Sequence, residues 1–246
     1  MTKLDVLIVA AHPDDAEISV GGTISRLIRA GHAVGVLDVT RGELGSRGTR
    51  ADRDAETSVA SQALGLTWRG NLEQPDGRVE ATVEAREELA RVIRHLQPDV
   101  LLAHHELDPH PDHVASGRMA REAWYLSGLR RLAERVGGAP ARRPARLARF
   151  MSHRGFAPTF VVDITEVWEA KLAAVKAYAS QLRPEDDQDD GKHFLYRSDI
   201  LERVETKARA WGEAIGVDYG EPLLCEEPLG FADPLLRLLA PTPPRT

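Results

Sequence analysis

Leu4-Asp5-Val6-Leu7-Ile8-Val9-Ala10 runs directly into Ala11-His12-Pro13-Asp14-Asp15-Ala16-Glu17. The first stretch is apolar except for Asp5. It is too short to cross a membrane and suits a strand buried on both faces of a parallel sheet. Open α/β sheets bind their ligands outside the carboxyl ends of the strands. An imidazole and two adjacent carboxylates therefore stand where such folds do their chemistry. A core histidine would account for His12 alone. It does not account for three ionisable side chains in four residues with a proline setting the turn between them.

Outward from this strand, the pattern predicts a helix over 19–30, with Ile24, Leu27 and Ile28 on one face and Gly31 as its stop. Val34, Val36, Leu37 and Val39 mark a second buried strand over 32–39, which makes a right-handed βαβ unit. Gly21 and Gly22 lower helix propensity and are expected to let the backbone approach something in the site. The segment 40–49, with Gly42, Gly45 and Gly48, reads as a ligand-binding loop at the sheet rim.

A helix over 51–64 ends at Gly65, and 66–71 fits a short strand. Thr82 is a good N-cap for a helix through Gln97 that carries Leu89, Val92, Ile93 and Leu96 on one face. Residues 99–103 form the next buried strand. It ends in His104-His105-Glu106-Leu107-Asp108-Pro109-His110-Pro111-Asp112-His113, four histidines and three carboxylates in ten residues. A helix over 114–128 follows. The stretch 130–149 sets seven arginines against Glu134 alone, interrupted by Gly137-Gly138 and Pro140, so it reads as solvated and irregular.

A strand over 160–164 and helices over 167–179 and 198–216 complete the regular elements. The acidic run 185–190 reads as a solvated loop. The tail 219–246 is expected on the surface or against another subunit. Nothing in the pattern suggests a repeat or a linker, so 1–246 reads as one domain with an α/β fold and a mainly parallel sheet.

Composition narrows the function classes. With 246 residues, 42% hydrophobic and 28% charged, the chain has the make-up of a soluble globular protein. A net charge of −6 gives no expectation of a nucleic-acid partner. Cys225 is the lone cysteine, which excludes an internal disulfide and a thiolate cluster. Neither a secretory pattern nor a membrane-spanning apolar run is present, so the expected location is the cytoplasm.

Imidazole and carboxylate together form the ligand set of Zn²⁺, Fe²⁺ or Mn²⁺ in a partly open site. The two clusters meet if their strands lie close in the sheet. His12, Asp15 and His113 are then the expected metal ligands. Asp14 is the expected general base on water. His110 is expected to stabilise an oxyanion and, as a cation, to protonate a leaving amine. Asp112 is expected to hold the His110 ring in that charged form. The reaction class is metal-assisted hydrolysis of an amide or ester.

The Ala11-to-Glu17 motif with Gly21-Gly22, followed by His110-Pro111-Asp112-His113, resembles the signature of the PIG-L/LmbE-like deacetylases. The resemblance implies a Rossmann-like three-layer fold with helices on both sheet faces. It also implies a zinc ion and removal of acetyl groups from N-acetylglucosamine conjugates. Thr40-Arg41-Gly42-Glu43, Gly48-Thr49, Arg53 with Glu56, Tyr178-Ala179-Ser180-Gln181, and Trp211-Gly212 through Tyr219-Gly220-Glu221-Pro222 are similar to the bacillithiol-pathway branch. That branch cleaves N-acetylglucosaminyl malate and is often hexameric. Glu43, Arg47 and Arg53 are the expected substrate-binding residues, with Arg47 or Arg53 meeting a malate carboxylate. The alternatives are a deacetylase of a mycothiol precursor or chitooligosaccharide, and a non-catalytic sugar- or nucleotide-binding module. The last lacks a Gly-x-Gly-x-x-Gly turn, because His12-Pro13-Asp14-Asp15 occupies that position.

Overall fold

The computed structural model describes residues 3–45, 47–182 and 200–228. Strand β1 (Val6–Ala10) is its centre. Leu7, Ile8 and Val9 are fully buried, each contributing roughly 1.5–3 kcal/mol of transfer free energy. Alternate side chains leave β1 on opposite faces. Leu7 and Val9 join a core with Leu89, Ile93 and Leu96, whereas Val6, Ile8 and Ala10 join one with Ile24, Leu64 and Ala174. The first core packs helices α3 (Val83–Leu96) and α4 (Pro111–Ser127) on one face. The second packs α1 (Asp15–Arg29), α2 (Arg50–Leu64) and α6 (Trp168–Lys176) on the other.

The remaining strands are β2 (Val34–Asp38), β3 (Trp68–Asn71), β4 (Val100–His104), β5 (Arg146–Phe150), β6 (Phe160–Asp163) and β7 (Gly220–Cys225). All seven form one sheet in the order β3-β2-β1-β4-β5-β7-β6. Strands β1 to β5 pair in parallel, and β7 runs antiparallel between β5 and β6. The α/β fold with a mainly parallel sheet and helices on both faces is therefore as expected. The order reverses beside β1, whose neighbours are β2 and β4. The β1 and β4 ends thus share the rim at the topological switch point, which brings the two histidine-rich clusters together.

Several boundaries differ from expectation. Helix α1 begins at Asp15, not near 19, and is broken at Val20, whose φ of −139° is non-helical. The break frees the N–H groups of Gly22 and Thr23, and the Glu221 carboxylate accepts from both, at 3.0 and 2.6 Å. Lys171 Nζ donates to the freed Ile18 carbonyl at 2.8 Å and to Glu221. A Cβ on Gly22 would meet three Ile164 side-chain atoms at 2.7–2.8 Å. The glycine pair therefore serves helix packing against the sheet edge, not close approach within the site.

The arginine-rich stretch is not uniformly irregular. It contains α5 (Arg130–Val136) and β5. Arg149 is fully buried because four acceptors satisfy its guanidinium: the His104 and Gly117 carbonyls, Glu106 and Glu226. The expected surface tail instead begins with β7, an interior strand of the sheet. After α6 come α7 (Ala179–Leu182) and α8 (Ile200–Ile215). The acidic run 185–190 and the tail 229–246 lie outside the described residues. No helix among the described residues is long and apolar enough to cross a membrane.

Candidate active site

The turn after β1 is held from several sides. Ala11 N–H donates to His104 Nε2 at 3.0 Å, and Thr40 Oγ1 donates to the Ala11 carbonyl at 3.1 Å. Pro13 is followed by Asp14 at φ 110°, a left-handed conformation costly for a residue with a side chain, on the order of 1–3 kcal/mol. The Pro13 carbonyl accepts from Arg53 Nη2, which also lies 3.5 Å from Asp14 Oδ2. The strained peptide is thus clamped by a buried guanidinium. The twist lets neighbouring carboxylates face different partners.

Asp15 occupies the meeting point of the two strand ends. Its Oδ2 lies 3.1 Å from His12 Nδ1, and its Oδ1 lies 3.3 Å from His113 Nε2. The other nitrogen of each ring faces further carboxylates. His12 Nε2 is 3.2 Å from Asp112 Oδ2 and 3.1 Å from Asp76 Oδ1. His113 Nδ1 is 3.1 Å from Asp108 Oδ1. The Asp112 carboxylate hydrogen-bonded behind the His12 ring orients a metal-binding imidazole in this way, whereas Asp108 approaches His113 as a nearby charge. The donors of His12, Asp15 and His113 all fall within 4.8 Å of one another. Two imidazole nitrogens and a carboxylate oxygen match the three protein ligands of an open catalytic zinc site.

Electrostatics agree with that fit. Burial opposes charge on His12 and His113, yet the surrounding carboxylates outweigh it. They hold His12 well above the usual histidine range and His113 up to about 9. Burial likewise opposes the Asp15 charge, and the neighbouring His113 and His104 overcome it, keeping Asp15 well below the carboxylate range. The cluster attracts positive charge, which a divalent cation supplies while leaving the imidazoles neutral. Asp14 behaves differently: burial pushes it up to about 7 against the opposing charge of Arg53.

Two expectations need correction. The Asp112 carboxylate does not hold the His110 ring. It accepts from the Gly77 and Val79 N–H groups, at 2.7 and 3.2 Å, and turns its remaining capacity to His12. His110 is not held as a cation. Burial, then the charge of His113, bring it down to about 4, and its Nδ1 accepts the Asp112 N–H at 3.2 Å. That leaves Nε2 as the protonated, donating nitrogen.

A cleft of about 630 Å³ opens over this cluster. Its lining includes His12, Asp14, Arg53, Asp76, His110 and His113, with Gly42, Leu44 and Gly45 from the loop expected to bind ligand. Of the expected substrate residues, only Arg53 lines it among the described residues. Its Nε and Nη1 are buried without a hydrogen-bond partner. Glu43 lies outside that lining and accepts from Asp76 N–H at 2.9 Å; Arg47 also lies outside it, its carbonyl accepting from Gln181 Nε2 at 2.9 Å.

The family model described as "GlcNAc-PI de-N-acetylase", PIG-L, matches residues 7–124. Diacetylchitobiose deacetylase of Thermococcus kodakarensis is 31% identical over 193 residues, covering 74% of this chain and 71% of its own. The chain belongs to the PIG-L family. A 1D-myo-inositol 2-acetamido-2-deoxy-alpha-D-glucopyranoside deacetylase of Nocardiopsis dassonvillei is 28% identical, over 81% of this chain and 90% of its own. A conserved protein of Thermus thermophilus superposes with a TM-score of 0.84 at 39% identity, over 93% of this chain and 97% of its own.

Within this PIG-L fold, sequence reasoning passed over four residues. Asp76 sits in Gln74-Pro75-Asp76-Gly77, which reads as an ordinary turn. Asp108 and His153 meet at 3.1 Å across 45 residues. His104 is fully buried, stacks on His113 with ring centroids 4.1 Å apart, and is kept neutral by burial at about 4. Its Nε2 takes the Ala11 N–H, so Nδ1 carries the proton towards Ser152 Oγ at 2.9 Å. Only the crowding of acids and histidines within 104–113 hinted at these roles.

Proposed function

We propose that this PIG-L protein hydrolyses the acetamide of N-acetylglucosaminyl malate, giving glucosaminyl malate and acetate in bacillithiol biosynthesis. The observation that carries the reaction is the convergence of His12, Asp15 and His113, with Asp14 beside them in the same cleft. The three residues would hold a zinc ion. Bound there, zinc supplies Lewis acidity towards the amide carbonyl and lowers the pKa of water from 15.7 to about 7.

The chain's own groups do the rest. Asp14 takes a proton from the attacking water as the oxygen adds to the acetamide carbon. His110 Nε2–H donates to the developing oxyanion. As the C–N bond breaks, Asp14 passes its proton to the leaving amine, so free amine and acetate account for all atoms. Asp112 and Asp76 steady His12, and Asp108 places a negative charge beside His113.

The malate part of the reading is supported by Arg53. Buried N–H groups without a partner are costly, and a substrate carboxylate would satisfy one of them with a charge-assisted hydrogen bond. The cleft is large enough for a sugar with one small substituent. The whole chain, 1–246, acts in this reading as one cytoplasmic deacetylase domain that assembles as a homo-oligomer, a hexamer by family likeness. Comparing kcat/KM for N-acetylglucosamine and for its malate conjugate tests the substrate. A strong preference for the conjugate supports it, and equal values overturn it in favour of a broader N-acetyl-sugar deacetylase.

A further inference from the structure

Tyr178 and Gly42 border the buried guanidinium of Arg53. Arg53 Cζ lies 5.3 Å from the centroid of the Tyr178 ring, within the range of a cation–π contact. A Cβ on Gly42, which has φ 67°, would meet Nη2, Nε and Cζ of Arg53 at 3.1, 3.4 and 3.6 Å. Arg53 is 4% exposed and Tyr178 1%. Among the described residues, the guanidinium makes its one hydrogen bond from Nη2 to the Pro13 carbonyl; Nε and Nη1 have no partner. A group bonded at one atom can swing unless its faces are walled.

The ring itself is fastened from behind. Tyr178 Oη donates to Glu17 Oε1 at 3.2 Å, and Arg69 Nη1 donates to the same oxygen at 2.5 Å. Asp38, at the end of β2, accepts from Nε and Nη2 of Arg69 at 2.8 and 3.0 Å. Two residues after Tyr178, Ser180 donates its N–H and its hydroxyl to the two Glu56 oxygens, at 2.6 and 2.8 Å. Glu56 stands one turn after Arg53 on α2. The segment that carries the ring is thus latched to the helix that carries the guanidinium.

We propose that Tyr178 is a positioning residue for the deacetylation, its ring holding the Arg53 guanidinium against the Pro13-Asp14 turn. Tyr178 is not part of the cleft lining, so it acts through Arg53, which is. A guanidinium with a fixed plane loses less freedom when a substrate group meets it. Without the ring, the guanidinium can close the 3.5 Å gap to Asp14 Oδ2 and pair with the base. The inference rests on the proposed function for the part Arg53 plays in turnover, and not for the packing around it.

A double-mutant cycle on the zinc-loaded full chain tests this, read as acetate release from N-acetylglucosamine and from its malate conjugate. Tyr178→Phe keeps the ring and is expected to keep turnover, with a loss of stability from the missing bond to Glu17. Tyr178→Leu is expected to lower kcat/KM about 5- to 30-fold with bound zinc unchanged. In an Arg53→Ala background the same change is expected to cost nothing further. Tyr178→Met, whose flexible chain fills irregular gaps, takes its place if melting curves show that the Leu variant does not fold. Wild-type kcat/KM without the ring, or equal losses with and without Arg53, overturns the proposal. A second readout needs no substrate: the Arg53 Nε–H resonance in ¹⁵N spectra, identified by its absence from Arg53→Ala. It is expected to stay sharp in Tyr178→Phe and to broaden in Tyr178→Leu, and an unchanged signal in the latter overturns the proposal. Absence of acetate release by wild type would overturn the proposed function instead and leave this second readout to decide the role of Tyr178.

Discussion

Asp15 Oδ1 stands 3.3 Å from His113 Nε2, joining the rim of β1 to the first turn of α4 across 98 positions of sequence. That approach exists because β1 and β4 are adjacent parallel strands, paired from Val6↔Val100 to Val9↔Ala103. Neither cluster holds a complete ligand set without the other.

His113→Ala removes one of three metal ligands and leaves Asp15 and Asp108 without their shared cation. Metal content after dialysis should fall well below one ion per chain. Retention of a full equivalent would take His113 off the ligand set.

Asp14→Asn keeps the side chain's shape and the clamp from Arg53 while removing the base. Bound metal should be unchanged and kcat should fall by about 10²–10⁴. Wild-type turnover by this variant would contradict the proton path.

Arg53→Ala removes both the support of the Pro13 turn and the unpartnered N–H groups in the cleft. Turnover should decline for every substrate. The malate conjugate should lose a further 10-fold or more in kcat/KM, since a hydrogen bond to a charged group contributes about 1.5–3 kcal/mol. Equal losses on N-acetylglucosamine and on the conjugate would limit Arg53 to holding the turn.

Lys171 and Glu221 are a buried pair that caps the break in α1. Glu221→Gln alone should cost about 3–5 kcal/mol, because it leaves a buried ammonium uncompensated. Adding Lys171→Met should recover part of that loss in denaturant titrations. Additive losses would mean that the two residues act independently.

Gly22→Ala drives a methyl group into Ile164 and should destabilise the fold by about 1–3 kcal/mol while leaving turnover per folded molecule intact. A loss of turnover without a loss of stability would return Gly22 to the site.

The parallel half of the sheet was legible because Val6–Ala10, Val34–Asp38 and Val100–His104 are apolar runs bounded by turn residues. The His12–Asp15 cluster was legible because no core needs so many ionisable groups together. Strand β5 was hidden by Arg149, whose burial depends on Glu106 and Glu226, distant partners that no local pattern shows. Strand β7, Gly-Glu-Pro-Leu-Leu-Cys, opens like a turn, and its Glu221 finds Lys171 only in the folded chain. Asp76 and His153 were missed for the same reason. Each is a single polar residue on a loop, and only tertiary contacts bring it to His12 or Asp108.

The most direct measurement is acetate release from N-acetylglucosaminyl malate by metal-stripped enzyme as zinc is returned in sub-stoichiometric steps. The account predicts negligible release without metal and a linear rise to a maximum at one ion per chain, abolished by His12→Ala. Undiminished release by the stripped enzyme, or none at one zinc ion per chain, would contradict it.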